Sequence, residues 1–183
     1  YTPGSLKARL CRRGVDLLTD LVAEKNLPYD ECGKLVVALE ASELGRLDAI
    51  EARATANGVP GLRRVDAEAI RSIEPHAVGV AALHSPRTAI VDYTAVTHAL
   101  ARDVVAAGGV VRTGTAVTGL RPHGAEVVVD TTGGSSAFDL VVTCAGLQSD
   151  RLARAAGDDA NPRIVPFLGD YHFLKPGPAR KVR

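Results

Sequence analysis

The chain has 183 residues, 46% hydrophobic and 23% charged, with a formal net charge of +1 at pH 7. That length can bury one sizeable core or two small ones, and the near-zero charge gives no broad basic field for nucleic acid or anionic lipid. The longest apolar runs, such as residues 77–83, fall far short of the ~20 residues that cross a bilayer. No secretory leader is expected, because Pro3 and Gly4 stand where its apolar stretch would be.

A first helix is expected over about residues 5–25, where Leu6, Leu10, Leu17, Leu18, Leu21 and Val22 recur at near-helical spacing. The β-branched run 34–39 reads as a strand. Ser42 is a candidate cap for a helix reaching about Ala56, and Asn57-Gly58 marks a turn. Asp66 can cap a short helix ending near Glu74-Pro75, and 78–83 reads as a strand. Asp92 is a strong N-cap for a helix over 93–107, closed by Gly108-Gly109. Strands are then expected at 110–113, 116–121, 125–131 and 138–143, a helix at about 149–156, and a last strand over 164–174.

This order implies an α/β class with an α+β mix. Residues 92–157 run helix, strand, β-meander, strand, helix, which fits the outer half of a doubly wound, Rossmann-like nucleotide-binding domain. Residues 1–91 and 158–183 mix helices and strands and are expected to form a separate layer. Cys11, Cys32 and Cys144 are odd in number and form no CxxC pair. Buried thiols in a reducing cytoplasm are expected, with no disulfide framework and no metal site. His76, His84, His98 and His123 show no ligand spacing and read as surface or satisfied core residues.

The most informative stretch is Leu140-Val-Val-Thr-Cys-Ala-Gly-Leu-Gln-Ser-Asp150. An apolar run enters small residues and then a helix start. Ala145-Gly146 lets a ligand approach the backbone. Ser149 or Asp150 can cap a helix whose N-terminus favours anions. By itself this pattern fits a structural turn or a nucleotide contact.

The string from Val141 to Arg151 closely resembles the second FAD-contacting motif of the L-2-hydroxyglutarate oxidase/dehydrogenase family, part of the D-amino-acid oxidase-like flavoproteins. Other strings resemble that family in the same order: Pro3-Gly-Ser-Leu-Lys-Ala-Arg-Leu-Cys11, Cys32-Gly-Lys-Leu-Val36, Asn57-Gly-Val-Pro-Gly-Leu-Arg63, Thr88-Ala-Ile-Val-Asp-Tyr93 and Pro162-Arg-Ile-Val-Pro-Phe-Leu-Gly-Asp-Tyr171. The resemblance implies a partial FAD-binding domain plus an antiparallel-sheet substrate domain. It also implies oxidation of the C2 hydroxyl of a small 2-hydroxy acid, such as L-2-hydroxyglutarate, with oxygen or a quinone as electron acceptor. Val117, Cys144, Ala145, Gly146 and Ser149 are its cofactor-binding candidates. Lys7, Tyr171 and His172 are its substrate candidates, and Tyr171 and His172 lie on opposite faces of an expected strand, with the family pattern favouring Tyr171. No catalytic residue is assigned. The expected location is cytoplasmic, with a peripheral place at the inner membrane as the alternative.

The chain also departs from the family pattern. It has no GxGxxG loop after a strand and no glycine-rich closing segment, so it is expected to be an internal fragment that binds FAD weakly or not at all by itself. Leu168 stands where the family usually has Arg, the natural bidentate partner of a carboxylate; Gln148 replaces an aromatic and Ala89 a glycine. Two alternatives follow. One is the same fold acting on an amino acid or glycerol phosphate. The other is a non-catalytic chain that self-associates as a homo-oligomer through exposed faces.

Overall fold

The computed structural model describes residues 1–159, 161 and 163–170. Two compact units are present, the first holding residues up to Gly108 and the second the described residues from Gly109. In the first unit, α1 (Leu6–Glu24) is followed by β1 (Tyr29–Asp30) and β2 (Lys34–Ala38). A 3-10 turn (Ala41–Glu43) leads into α2 (Leu44–Ala56), β3 (Arg63–Asp66), α3 (Ala67–Ile73), β4 (Ala81–Ser85), β5 (Ile90–Val91) and α4 (Tyr93–Ala106). The second unit holds β6 (Val117–His123), β7 (Glu126–Thr131), β8 (Gly134–Phe138), a 3-10 turn (Gly146–Gln148) and α5 (Ser149–Ala155).

The main sheet of the first unit has the order β2-β4-β3, and both pairings are antiparallel. Directly paired residues share a face. Val36, Leu83 and Arg64 form one row, and Leu35, His84 and Arg63 lie on the opposite face. The first of these faces meets α2. Ala38, Leu47, Ala81 and Leu83 are buried together, with Val36, Leu44, Ile50 and Leu62 packed against them. Arg64 completes that row by reaching Asp48 and Glu51 of α2. Gly79 lets the chain pass beside β2: a Cβ there would lie 2.7 Å from the Ala38 carbonyl oxygen and collide with Val37 Cγ1.

Helix starts follow the capping chemistry. Ser5 Oγ accepts from the Ala8 N–H at 3.2 Å, Asp66 from Ala69 at 2.9 Å, and Asp92 from Thr94 and Ala95 at 2.9 and 3.0 Å. Ser42 does not cap α2. Its hydroxyl donates to Glu40, and the intervening 3-10 turn makes Glu43 the residue before the helix. On α1 the expected apolar face is only partly buried: Ala8 and Val22 are covered, while Leu6, Leu10 and Leu17 are 67%, 57% and 56% exposed. All three cysteines are exposed, contrary to the expectation of buried thiols.

The second unit is a meander, β6-β7-β8, fully antiparallel, with Leu120 and Val129 buried and α5 packed on β6. The expected strands at 110–113 and 138–143 do not form; β8 lies earlier, over Gly134–Phe138. Val110, Leu140 and Val142 are 74%, 79% and 76% exposed. Apolar β-branched runs of this kind suit strands covered on both faces, and a strand exists only where a neighbour takes up its N–H and C=O groups. No neighbour does so among the described residues. The described architecture is therefore a mixture of helices and antiparallel sheet, and no parallel pairing is present in it. The strand expected over 164–174 is not formed at 164–170, and its remainder lies outside the described residues.

Candidate functional site

The resemblance-derived cofactor residues all lie in the second unit. Val117 opens β6, an edge strand with no strand on its outer side among the described residues. The Ala116 carbonyl accepts from the Thr132 N–H at 3.0 Å, and the Ala116 N–H donates to Thr132 Oγ1 at 3.2 Å. Both main-chain groups of Ala116 thus face β7. Antiparallel strands alternate hydrogen-bonded and non-hydrogen-bonded pairs, so the N–H and C=O of Val117 point to the open edge. The Val117 side chain is 45% exposed.

Just beyond, pairing jumps from Val117↔Thr131 to Gly119↔Asp130, leaving Thr118 as the extra residue of a β-bulge. Opposite the bulge, Asp130 accepts from Arg121 Nε and Nη2 at 2.7 and 2.9 Å and from Ser135 Oγ at 2.6 Å. The guanidinium and then the hydroxyl hold its carboxyl down to a pKa of about 2.

Residues 144–149 form a turn. Cys144 is exposed and Ala145 half-buried. Gly146 has a φ of +54°, a conformation that favours glycine, and a Cβ there would meet nothing within 4 Å. The backbone is therefore approachable at this point. Ser149 begins α5 but does not cap it. Its Oγ donates back to the Gly146 carbonyl at 2.7 Å, and Gln148 precedes the helix without a side-chain cap. Asp150 is not the cap either; it pairs with Arg154 at 2.8 Å and accepts from the Ile164 N–H at 3.4 Å.

The substrate candidates are not brought together. Lys7 is on the exposed first turn of α1, with Nζ 5.0 Å from the centroid of the Tyr1 ring. Tyr171 and His172 lie outside the described residues. Leu168 is 93% exposed. A cavity of about 850 Å³ in the first unit is lined by residues that include Arg12, Asp16, Lys34, Ser85 and Arg87. It contains none of the predicted site residues, and Arg87 within it is tied to Glu31 at 3.3 Å.

One buried polar group was not anticipated. His84, read as surface or satisfied core, is 9% exposed, and its Nδ1 has no hydrogen-bond partner among the described residues. Burial, and then the charge of Arg63 across the sheet, push its pKa down. The apolar run around it announces a buried strand, but no sequence signal tells a satisfied imidazole from an orphaned one. Among the described residues no group of three or more His, Cys, Asp or Glu side chains could hold a metal, and no helix is long and apolar enough to cross a membrane.

The family model for FAD dependent oxidoreductases matches residues 1–183. The chain is 43% identical over 188 residues to human mitochondrial L-2-hydroxyglutarate dehydrogenase, covering 96% of this chain and 41% of that protein. It is 42% identical to the Caenorhabditis briggsae mitochondrial protein of the same name, covering 96% and 42%. Its fold resembles that of FAD-bound L-alpha-glycerophosphate oxidase from Mycoplasma pneumoniae, with a TM-score of 0.77, 22% identity, and coverage of 87% of this chain and 44% of that one. The chain thus spans about two-fifths of the length of the relatives it matches. The cytoplasmic expectation is overturned by the mitochondrial location carried in both relatives' names. Unpaired thiols report a reducing environment and carry no information about which reducing compartment it is. With the whole sequence matched by the family model and the helix and antiparallel-sheet fold shared with a flavin-bound oxidase, the chain belongs to the FAD dependent oxidoreductase family.

Proposed function

We propose that the protein carrying this chain is an FAD-dependent oxidoreductase that converts the C2 hydroxyl of a small 2-hydroxy acid, with L-2-hydroxyglutarate as the leading substrate, to the 2-oxo acid. The observation that carries this reading is the 43% identity to human L-2-hydroxyglutarate dehydrogenase along 96% of the chain. When bound, FAD supplies the two-electron acceptor for that oxidation, and oxygen or a quinone then takes the electrons onward.

The residues of the second unit fit the cofactor. The outward N–H and C=O of Val117 offer one donor and one acceptor side by side, the complement of an adenine edge with a ring nitrogen and an amino group. The open backbone at Ala145-Gly146 admits a phosphate or ribityl group without a side chain in the way. Cys144 and Ser149 flank that approach. In this reading the second unit serves the cofactor. Lys7, Tyr171 and His172 keep the substrate role that the family resemblance implies for them.

Anaerobic titration of the whole flavin-loaded protein tests the proposal. L-2-hydroxyglutarate should bleach the flavin absorbance, whereas the D-enantiomer should not. Absence of bleaching by either would sink the assignment of substrate. Leu168 favours a second reading within the same fold, with an amino acid or glycerol phosphate as substrate, because an exposed Leu cannot make the bidentate contact of an Arg. Bleaching by one of those compounds, and not by the hydroxy acid, would favour it.

A further inference from the structure

The bulge at Thr118 needs something to hold it. An extra residue in one strand is unpaired, so the ladder alone does not fix the local twist or the direction in which the neighbouring groups leave the sheet. The partner strand supplies a second tie at that place. Asp130 is paired with Gly119, the first residue back in register. Its carboxylate fills the space where a side chain at 119 would stand: a Cβ on Gly119 would lie 3.2 Å from Asp130 Oδ2 and 3.7 Å from Asp130 Cβ. From there it is anchored twice, by both guanidinium contacts from Arg121 on the bulged strand and by Ser135 on β8. One side chain thus ties all three strands of the meander together beside the bulge.

Stability does not account for this arrangement well. The Arg121 side chain is 59% exposed and that of Asp130 26%, and ion pairs so exposed contribute little to folding. What distinguishes the cluster is its position: Asp130 adjoins Thr131, the partner of Val117, whose main chain faces the open edge. We propose that Asp130 is a positioning residue for the base half of the cofactor, fixing the bulge through Arg121 and Ser135 and so aiming the N–H and C=O of Val117. Asp130 touches no ligand in this role. The inference rests on the reading of the Val117 edge as a nucleotide contact.

The test compares two flavins on the whole protein stripped of cofactor. FAD carries the adenine half and FMN lacks it. Asp130→Ala should raise the dissociation constant of FAD about tenfold, the loss of roughly one well-made hydrogen-bonded contact, and leave that of FMN unchanged. Gly119→Ala crowds the carboxylate by an independent route and should lower the FAD-over-FMN preference to a smaller extent. Asp130→Asn, of the same size and still able to accept from Ser135, should fall between wild type and Asp130→Ala. If Asp130→Ala does not fold, these two variants carry the test.

Equal weakening of FAD and FMN, or no change in either, would overturn the positioning role. A Val117→Pro variant separates that failure from failure of the underlying reading. It removes the outward N–H without costing a ladder bond, and proline is tolerated at such an edge position. Selective loss of FAD in Val117→Pro but not in Asp130→Ala leaves the nucleotide edge standing and removes Asp130 from it. No selective loss in either variant removes both.

Discussion

At the scale of single residues, the capping positions were the most legible. Asp92 and Asp66 cap as their places before helical runs imply, because a carboxylate one residue ahead of a helix has free N–H groups to accept. Asp92→Ala should cost about 1 kcal/mol, measurable as a shift in the urea midpoint at unchanged slope. Ser42 and Ser149 failed as caps because a 3-10 turn precedes each helix and takes the hydroxyl elsewhere. The orphaned nitrogen of His84 was not legible, since pairing depends on what other segments bring near it. Its pKa is depressed in the folded chain, so the unfolded chain binds more protons as pH falls. The contribution of neutral His84 is therefore fully present above the ordinary histidine value of ~6.5 and is lost on acidification through the lower folded value. Unfolding midpoints measured from pH 8 down to pH 5 should fall more steeply for the wild type than for His84→Gln. Parallel curves would assign the acid sensitivity to other groups.

At the scale of elements, long periodic segments were read well and short ones were not. The helices α1 and α4 and the strands β6 and β7 were visible in periodicity and turn residues, whereas β8 (Gly134–Phe138) falls where a turn was expected. The two-residue strands β1 and β5 were not, because their identity comes entirely from each other: Tyr29 pairs with Val91 and Asp30 with Ile90. β3 reads Arg-Arg-Val-Asp and has no apolar alternation to announce it. It is a strand because β4 offers it an edge and α2 accepts Arg64. The contact of β4 with α2 centres on Leu83, which is 2% exposed. Leu83→Ala should cost between about 2 and 5 kcal/mol, against about 0.5 kcal/mol or less for a change at an exposed position such as Leu17→Ala. Gly79→Ala should also destabilise, by about 1–3 kcal/mol, since the added methyl meets Val37 and the Ala38 carbonyl. Chemical denaturation of the three variants side by side checks the order.

At the scale of the whole molecule, the family was legible because collinear strings survive even where single motifs are weak. The compartment was not, because thiols register only the redox state. The cofactor side of the site was partly legible: Gly146 was expected as an approachable turn, and the structure gives it a positive φ and open space. The outward direction of Val117, by contrast, depends on how Ala116 pairs with Thr132, a contact across 16 residues that no local pattern encodes. The exposed apolar residues at Val110, Leu140 and Val142, together with Leu6 and Leu10 on α1, predict the behaviour of the isolated 183-residue chain. Purified alone, it should elute larger than a monomer and retain no flavin through desalting. A colourless oligomer is the expected result, and a yellow monomer would show that these residues suffice for a closed cofactor site.

The extra residue in β6 also bears on how the gene can change in length. In a ladder, direction alternates with each residue, so parity is a property of the count and not of the residue types. The hairpin tips at 124–125 and 132–133 absorb an inserted codon by lengthening a loop. Loss of one codon at 117–119 would erase the bulge and, with it, the local bend and twist that set the aim of the outward groups there. Conservative substitutions at Thr118 should therefore be harmless while its deletion is not. Length differences among homologous chains are expected to gather at those two tips and to spare the three codons between Ala116 and Leu120.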